Sequence, residues 1–426
     1  MFAGWRAGNG AHDPVSAVLV WAIAAGAIAG ILFRPKEWPE AVWACLGAFL
    51  LVTCGLLPLG RAGAAVAKGT DVYLFLTGMM LLSELARREG VFDWLASHAV
   101  AAAKGSRARL FTLVYLVGTV VTVFLSNDAT AVVLTPAVYA AVQKARTKPL
   151  PYLFICAFIA NAASFVLPIS NPANLVVYGK NLPPLWPWLR TFFLPSVGSI
   201  AATYVALRFS VRKELEGSVE DGRAPAALSR EGRLAAWGIA GTGVILIVAS
   251  GFGFDLGLPT CIAAAIAVLI TTRVKGDALA EIGKGVSWSV LPLVAGLFVL
   301  VEALNRAGAL QDMSRVLQWC GALPRYVGGL AAAFGVAALS NVMNNLPSGL
   351  LSGAAIQAAH VPAHIRDSVL IGLDLGPNLS VTGSLATVLW LIALRREGVQ
   401  ISAGQFLKTG MVVMPPALLI ASLAVS

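Results

Sequence analysis

Charge is what this sequence has least of. Asp, Glu, Lys and Arg together make up 12% of its 426 residues, about half of the roughly 25% usual in a soluble domain. With 58% hydrophobic residues, that shortage excludes a soluble enzyme and a disordered chain. The net charge of +10 is no nucleic-acid signal, because membrane proteins collect Lys and Arg in their cytoplasmic loops. Histidine is scarce too: four residues, widely spaced, offer no metal site. The five cysteines (Cys45, Cys54, Cys156, Cys261, Cys320) form no CxxC pair, so no disulfide framework is implied. The opening MFAGWRAGNGAHDP lacks a cleavable signal pattern, and the first span is expected to be retained. No cofactor and no nucleic-acid partner is expected.

What the chain does have is a succession of apolar stretches about as long as the 20 residues that span a bilayer. Spans are expected at 15–33, 41–59, 70–88, 152–180, 186–208, 234–251, 257–272, 287–305, 365–394 and 403–424. Two further apolar segments, 107–145 and 324–359, are each interrupted midway by a polar cluster: Ser126-Asn127-Asp128 in one, Ser340-Asn341 through Asn344-Asn345 in the other. Legs of about 16 residues at 1.5 Å rise reach only about 25 Å, which points to re-entrant hairpins. Two short complete spans with a polar kink are the rival reading. Non-helical backbone at that depth must be buried in protein or line a cavity.

The two halves repeat. TDVYLFLTGMMLLSELARREGVFDWLA (70–96) aligns with SVLPLVAGLFVLVEALNRAGALQDMSR (289–315) at an offset of 218, pairing Gly78 with Gly296 and Glu84 with Glu302. FLSNDATAVVLTP (124–136) aligns with ALSNVMNNLPSGL (338–350) at an offset of 214, and SNPANLVVY (170–178) with TGSLATVLW (382–390) at 212. The expected fold class is an all-α polytopic membrane protein of about ten transmembrane helices. Its two inverted-topology repeats, 1–211 and 234–426, flank a linker at 212–233 that is expected to be flexible and cytoplasmic. Each repeat is expected to carry a hairpin (107–145, 324–359) and a broken helix (152–180, 365–394).

The polar residues sit at the breaks. Asp128 is the lone carboxylate at the first tip, and a charge near mid-bilayer costs roughly 2.5–3.5 kcal/mol even on the mildest scale. It caps the half-helix, or serves function, or does both. Thr130 lies beside it. Pro168 and Pro172 break the first span next to Asn171 and Asn174. The partner span has Pro377-Asn378 and the run Thr382-Gly383-Ser384. Asp374 lies about two turns before that run, either as a proton carrier or as a carboxyl buried near the helix entrance. The second tip offers Asn341, Asn344, Asn345 and Pro347 and no carboxylate. Glu84 and Glu302 lie at span ends beside Arg87/Arg88 and Arg306, where structural ion pairing is expected.

The SNDAT…LTP tip, the SNPAN break, the SNVMNNLP tip and the DLGPNLSVTGSLATVLW segment resemble the ArsB-type arsenite efflux permeases of the ion transporter superfamily. The likeness covers nearly the whole chain. It implies facing hairpins and broken helices, a scaffold region and a moving transport region. It also implies export of arsenite and antimonite coupled to proton influx, alone or on an ArsA-type ATPase. The sodium-coupled dicarboxylate branch has SNT at its tips; here Asp128 replaces the Thr, and the second tip continues as Val342-Met343. The expected ligands of the neutral trihydroxides are Asn127, Thr130, Asn171, Asn174, Asn341, Asn345, Asn378 and Ser384, with Asp128 and Asp374 as proton carriers. The alternative is a proton- or sodium-coupled carboxylate transporter. No Lys or Arg lies near any polar break to hold a carboxylate, which counts against it. A channel fits less well, since paired broken segments suit alternating access.

With this topology 22 of the 31 Lys and Arg fall on one face and nine on the other. The rich face should be the cytoplasmic face of the inner membrane, with both termini outside. A C-terminal alkaline phosphatase fusion is therefore expected to be active and a fluorescent-protein fusion dark. The reverse pattern overturns the orientation.

Overall fold

A computed structural model describes residues 14–219, 227–273 and 276–425. Among the described residues the structure is helical, with no strand beyond an isolated bridge between Ser106 and Ser218. The first half holds α1 (Pro14–Phe33), α2 (Glu40–Thr53), α3 (Leu59–Lys68), α4 (Thr70–Arg88), α5 (Val91–Ala102), α6 (Arg107–Phe124), α7 (Thr135–Lys144), α8 (Leu150–Ala162), α9 (Pro172–Tyr178) and α10 (Leu185–Ser210). The second half repeats the order: α11 (Arg230–Gly251), α12 (Gly257–Thr272), α13 (Gly276–Gly285), α14 (Val290–Arg306), α15 (Ala309–Ala322), α16 (Arg325–Met343), α17 (Asn345–Ala359), α18 (Ala363–Leu375), α19 (Leu385–Arg396) and α20 (Ala403–Val425).

Six of these helices, α1, α6, α10, α11, α16 and α20, are long and apolar enough to cross a membrane unaided. The pairs α3–α4 and α13–α14 qualify only as spans bent by 49° and 41°. The ten crossings expected from hydropathy are thus not all single helices. The apolar helices α2, α8 and α12 have 14, 13 and 16 residues, short of the roughly 20 a crossing needs. The long runs at 152–180 and 365–394 are each split in two by a break.

Both interrupted segments turn back. At the start of α8 the Tyr152 hydroxyl donates to Arg107 O, the first residue of α6, at 3.3 Å. The end of α7 joins the start of α8 through a short loop, so both feet of 107–144 lie together. The far end of α6 instead reaches the break after α8, where Ser170 Oγ donates to Val123 O at 3.0 Å. In the second half the start of α16 packs Gly328 on Cys320 O at the end of α15, and Gln318 of α15 donates to Ala359 O, the last residue of α17, at 3.5 Å. The leading legs α6 and α16 have 18 and 19 residues, a little longer than expected.

The broken helices run antiparallel. Trp390 Nε1 donates to Leu153 O at 3.1 Å, Asn378 Nδ2 to Phe158 O at 3.1 Å, Asn171 Nδ2 to Asp374 Oδ1 at 2.8 Å, and the Tyr178 hydroxyl to Asp367 Oδ1 at 2.9 Å. As numbers rise along one they fall along the other. The first hairpin has its feet at the Leu153 end and the second near Asp367, so the two enter from opposite faces.

The other helices interlock across the halves: α4 packs on α12, α14 on α2, and α10 on α20. The repeat mates Gly78 and Gly296 make equivalent close contacts, on the backbones of Thr260 and Ala44. Glu84 pairs with Arg87 as expected, but Glu302 pairs with Lys68 at 3.0 Å and not with Arg306, because α3 crosses to lie against α14. Of the linker, residues 220–226 lie outside the described residues, as do 1–13. Its first residues are held on the hairpin foot: Val219 N donates to Gly105 O at 2.9 Å, and the Arg107 guanidinium to Glu216 O and Ser218 O at 2.9 and 3.0 Å.

A side chain at either repeat-mate glycine has to push two backbones apart, and overpacking typically costs about 1–3 kcal/mol. Gly78→Leu and Gly296→Leu are each expected to lower the Tm of the detergent-solubilised protein. Gly335→Leu, where an added Cβ meets nothing within 4 Å, should leave it unchanged.

Candidate functional site

Four interruptions of the helices meet at one place, and each restarts its helix on a side-chain cap. At the first tip α6 ends at Phe124 and the chain resumes in π-helical turns over Ala129–Leu134. Ser126 Oγ accepts from Ala129 N at 3.1 Å, and Asn127 Oδ1 from Asp128 N at 2.9 Å. Asp128 itself has helical φ and ψ and makes no capping bond. Capping, one of the two roles open to it from sequence, thus belongs to Ser126, and the carboxyl is left to the cavity.

The other three breaks follow the same rule. Pro168–Ser170 forms a 3₁₀ turn after α8, and Asn171 Oδ1 then accepts from Ala173 N at 3.0 Å to begin α9. At the second tip Asn344 takes φ 75° and its Oδ1 accepts from Leu346 N at 3.3 Å. Ser384 Oγ accepts from Thr387 N at 3.1 Å at the head of α19. Asn and Ser are preferred caps because their oxygens satisfy amides that the first turn leaves unpaired.

The heads of these segments enclose a small cavity lined by Asn127, Asp128, Asn171, Asn345 and Ser384. Pro172, Leu346, Leu385 and Ala386 of the same segments, Leu76 of α4 and Val290 of α14 complete the lining. The space is about enough for one water. Helix N-termini carry partial positive charge, and the first residues of α9, α17 and α19 line the cavity together with one carboxylate. No Lys, Arg or His lines the cavity.

Five of the ten residues singled out in the sequence therefore meet: Asn127, Asp128, Asn171, Asn345 and Ser384. Asp374 lies one layer behind, fully buried, its Oδ1 accepting from Asn171. The remaining four do not line the cavity and are engaged in holding the breaks. Thr130 bonds Thr122 at 2.8 Å. Asn174 donates to backbone carbonyls of its own break. Asn341 donates to Gly376 O at 2.8 Å. Asn378 bonds Phe158 O and accepts from Asn161 Nδ2 at 2.9 Å. Asn161, which also reaches Thr387 and Ser384, was missed; a lone amide in the apolar run FICAFIANAAS was its signal. Nothing in the sequence marked Leu76 or Val290.

Paired re-entrant hairpins, antiparallel broken helices and a small cavity with polar side chains where they meet define a membrane transporter built on inverted repeats. Residues 19–373 match the family model CitMHS, described as citrate transporter, and the chain belongs to that family. It is similar to the arsenical pump membrane protein of Escherichia coli (strain K12), with 28% identity covering 92% of this chain and 94% of the relative. The arsenical pump membrane protein of Yersinia enterocolitica is 29% identical over 91% and 94% of the two chains. A putative arsenical pump membrane protein of Bacillus subtilis (strain 168) is 24% identical over 90% and 93%. Among solved structures, the Alcanivorax borkumensis YdaH transporter shares the fold over 88% of this chain and 89% of its own, with a TM-score of 0.57 at 15% identity.

Proposed function

We propose that the chain is an efflux carrier of the inner membrane for trivalent arsenite and antimonite, driven by exchange with protons. The observation that carries this reading is the set of polar side chains lining the cavity: amides, a hydroxyl and one carboxylate, with no basic side chain, among apolar walls. As(OH)3 and Sb(OH)3 are small neutral polyol-like solutes, and amides and hydroxyls both donate to and accept from such groups. The relatives named arsenical pumps support the same solute. Asp128 lines the cavity and titrates, so a proton and the solute compete for one place. Asp374, joined to the cavity through Asn171, is the second carrier. An ArsA-type ATPase, where one is made, docks on the basic cytoplasmic face.

Carboxylate transport is the second reading. The family description favours it, as do the helix N-termini at the cavity, which attract anions. Against it stands Asp128, a like charge beside any bound carboxylate with no Lys or Arg to offset it.

Everted vesicles decide between them. Arsenite is expected to accumulate, to be lost when the proton gradient is collapsed and to be indifferent to the sodium gradient, while citrate and succinate stay out. Accumulation of either carboxylate without arsenite would replace the first reading with the second. Asp128→Asn keeps shape and removes titration, and is expected to abolish proton-driven arsenite uptake while leaving expression intact. Wild-type uptake by that variant passes the carrier role to Asp374, where the same substitution is then decisive.

A further inference from the structure

Unwinding a helix inside a membrane frees carbonyl oxygens, and in carriers with broken helices such carbonyls are where a coupling cation is held. Here several carbonyls at each break are already taken by side-chain amides. In the first half, Asn174 Nδ2 donates to Ser164 O at 2.9 Å, with Pro168 O and Leu167 O at 3.3 and 3.4 Å. All three oxygens belong to the unwound stretch between α8 and α9. The Asn174 side chain is fully buried, and its own Oδ1 has no partner. A buried acceptor left unsatisfied is a cost, so the residue is kept there for its NH2 group; rotating the amide would set its oxygen against three carbonyls.

The second half is filled from the opposite element. Asn341, on the hairpin leg α16, donates from Nδ2 to Ala337 O and to Gly376 O, both at 2.8 Å. Its Oδ1 accepts from Ser380 Oγ at 2.5 Å, and Asn344 Nδ2 covers Thr382 O at 3.3 Å. Gly376 and Thr382 flank the break between α18 and α19. The two amides are not repeat mates: at the sequence offsets of the repeat, Asn174 corresponds to Ala386 and Asn341 to Asn127. Each half has reached the same result by its own residue.

We infer that Asn174 and Asn341 determine ion specificity: their tethered NH2 groups occupy the carbonyl nests in which an alkali cation would sit, so the chain neither binds nor requires sodium. Removing either amide opens a sodium site. The inference concerns the coupling ion of the carrier proposed above, but it does not depend on the solute, and its test reads ion binding and not transport.

Purified full-length protein in detergent is compared in sodium chloride and in choline chloride, by equilibrium binding of radiosodium and by Tm. The wild type is expected to show no saturable sodium binding and the same Tm in both salts. Asn174→Ala and Asn341→Ala are each expected to show saturable sodium binding, and to melt higher in sodium than in choline. Saturable sodium binding by the wild type overturns the inference, whatever the variants do. So does a variant that elutes as a folded monodisperse peak and binds no sodium. Should Asn174→Ala fail to fold, Asn341→Ala tests the second nest separately, and Asn341→Ser, which retains a hydroxyl, is expected to bind sodium as well.

Discussion

Backbone that leaves its helix inside hydrocarbon must find a partner for every N–H and C=O it frees, because no water is there to take them. The rest of this structure follows from how that demand is met. The amides at the restarts are taken by the oxygens of Ser126, Asn171, Asn344 and Ser384. Carbonyls at the breaks are taken by the NH2 groups of Asn174, Asn341 and Asn344, and Asn378 Nδ2 reaches across to Phe158 O of α8. Asparagine recurs at the breaks because one side chain supplies both a donor and an acceptor.

Further side-chain bonds cross from one half to the other, so the breaks are fixed relative to each other as well as internally. Asn161, Asn378, Ser384 and Thr387 form one buried network, and Asn171 with Asp374 another link. Of the cavity's apolar walls, Leu76 and Val290 come from α4 and α14, helices that lock onto the opposite halves. The polar bonds thus tie the hairpins and broken helices to each other, and the boundary with α4 and α14 at the cavity is apolar.

Much of this is legible in the sequence. The SND and SNVMNN interruptions and the Pro168/Pro172 pair mark the breaks. A proline removes a helix hydrogen bond, and amides inside an apolar run need partners that an unbroken helix in lipid does not supply. The three offsets mark the repeat, and the repeat marks Gly78 and Gly296, which make the same kind of close contact in each half. Less legible is which polar residues face the solute. Asn174 and Asn341 read as ligands by residue type, yet hydrogen-bond geometry turns them inward, and no spacing rule separates a ligating amide from one that fills a carbonyl nest. Hydropathy overcounts crossings as single helices because it averages across a break. Sequence proximity matches Glu302 with Arg306 and cannot show that α3 crosses to α14.

The central claim is that the first hairpin tip and the second meet at one cavity, having entered from opposite faces. Asn127→Cys with Asn345→Cys, in a background where the five native cysteines are replaced, tests it directly. A short homobifunctional maleimide is expected to cross-link the pair within one chain, and spin labels at the two positions are expected to report a short distance. Absence of cross-linking together with a separation comparable to the roughly 30 Å hydrocarbon core would contradict it.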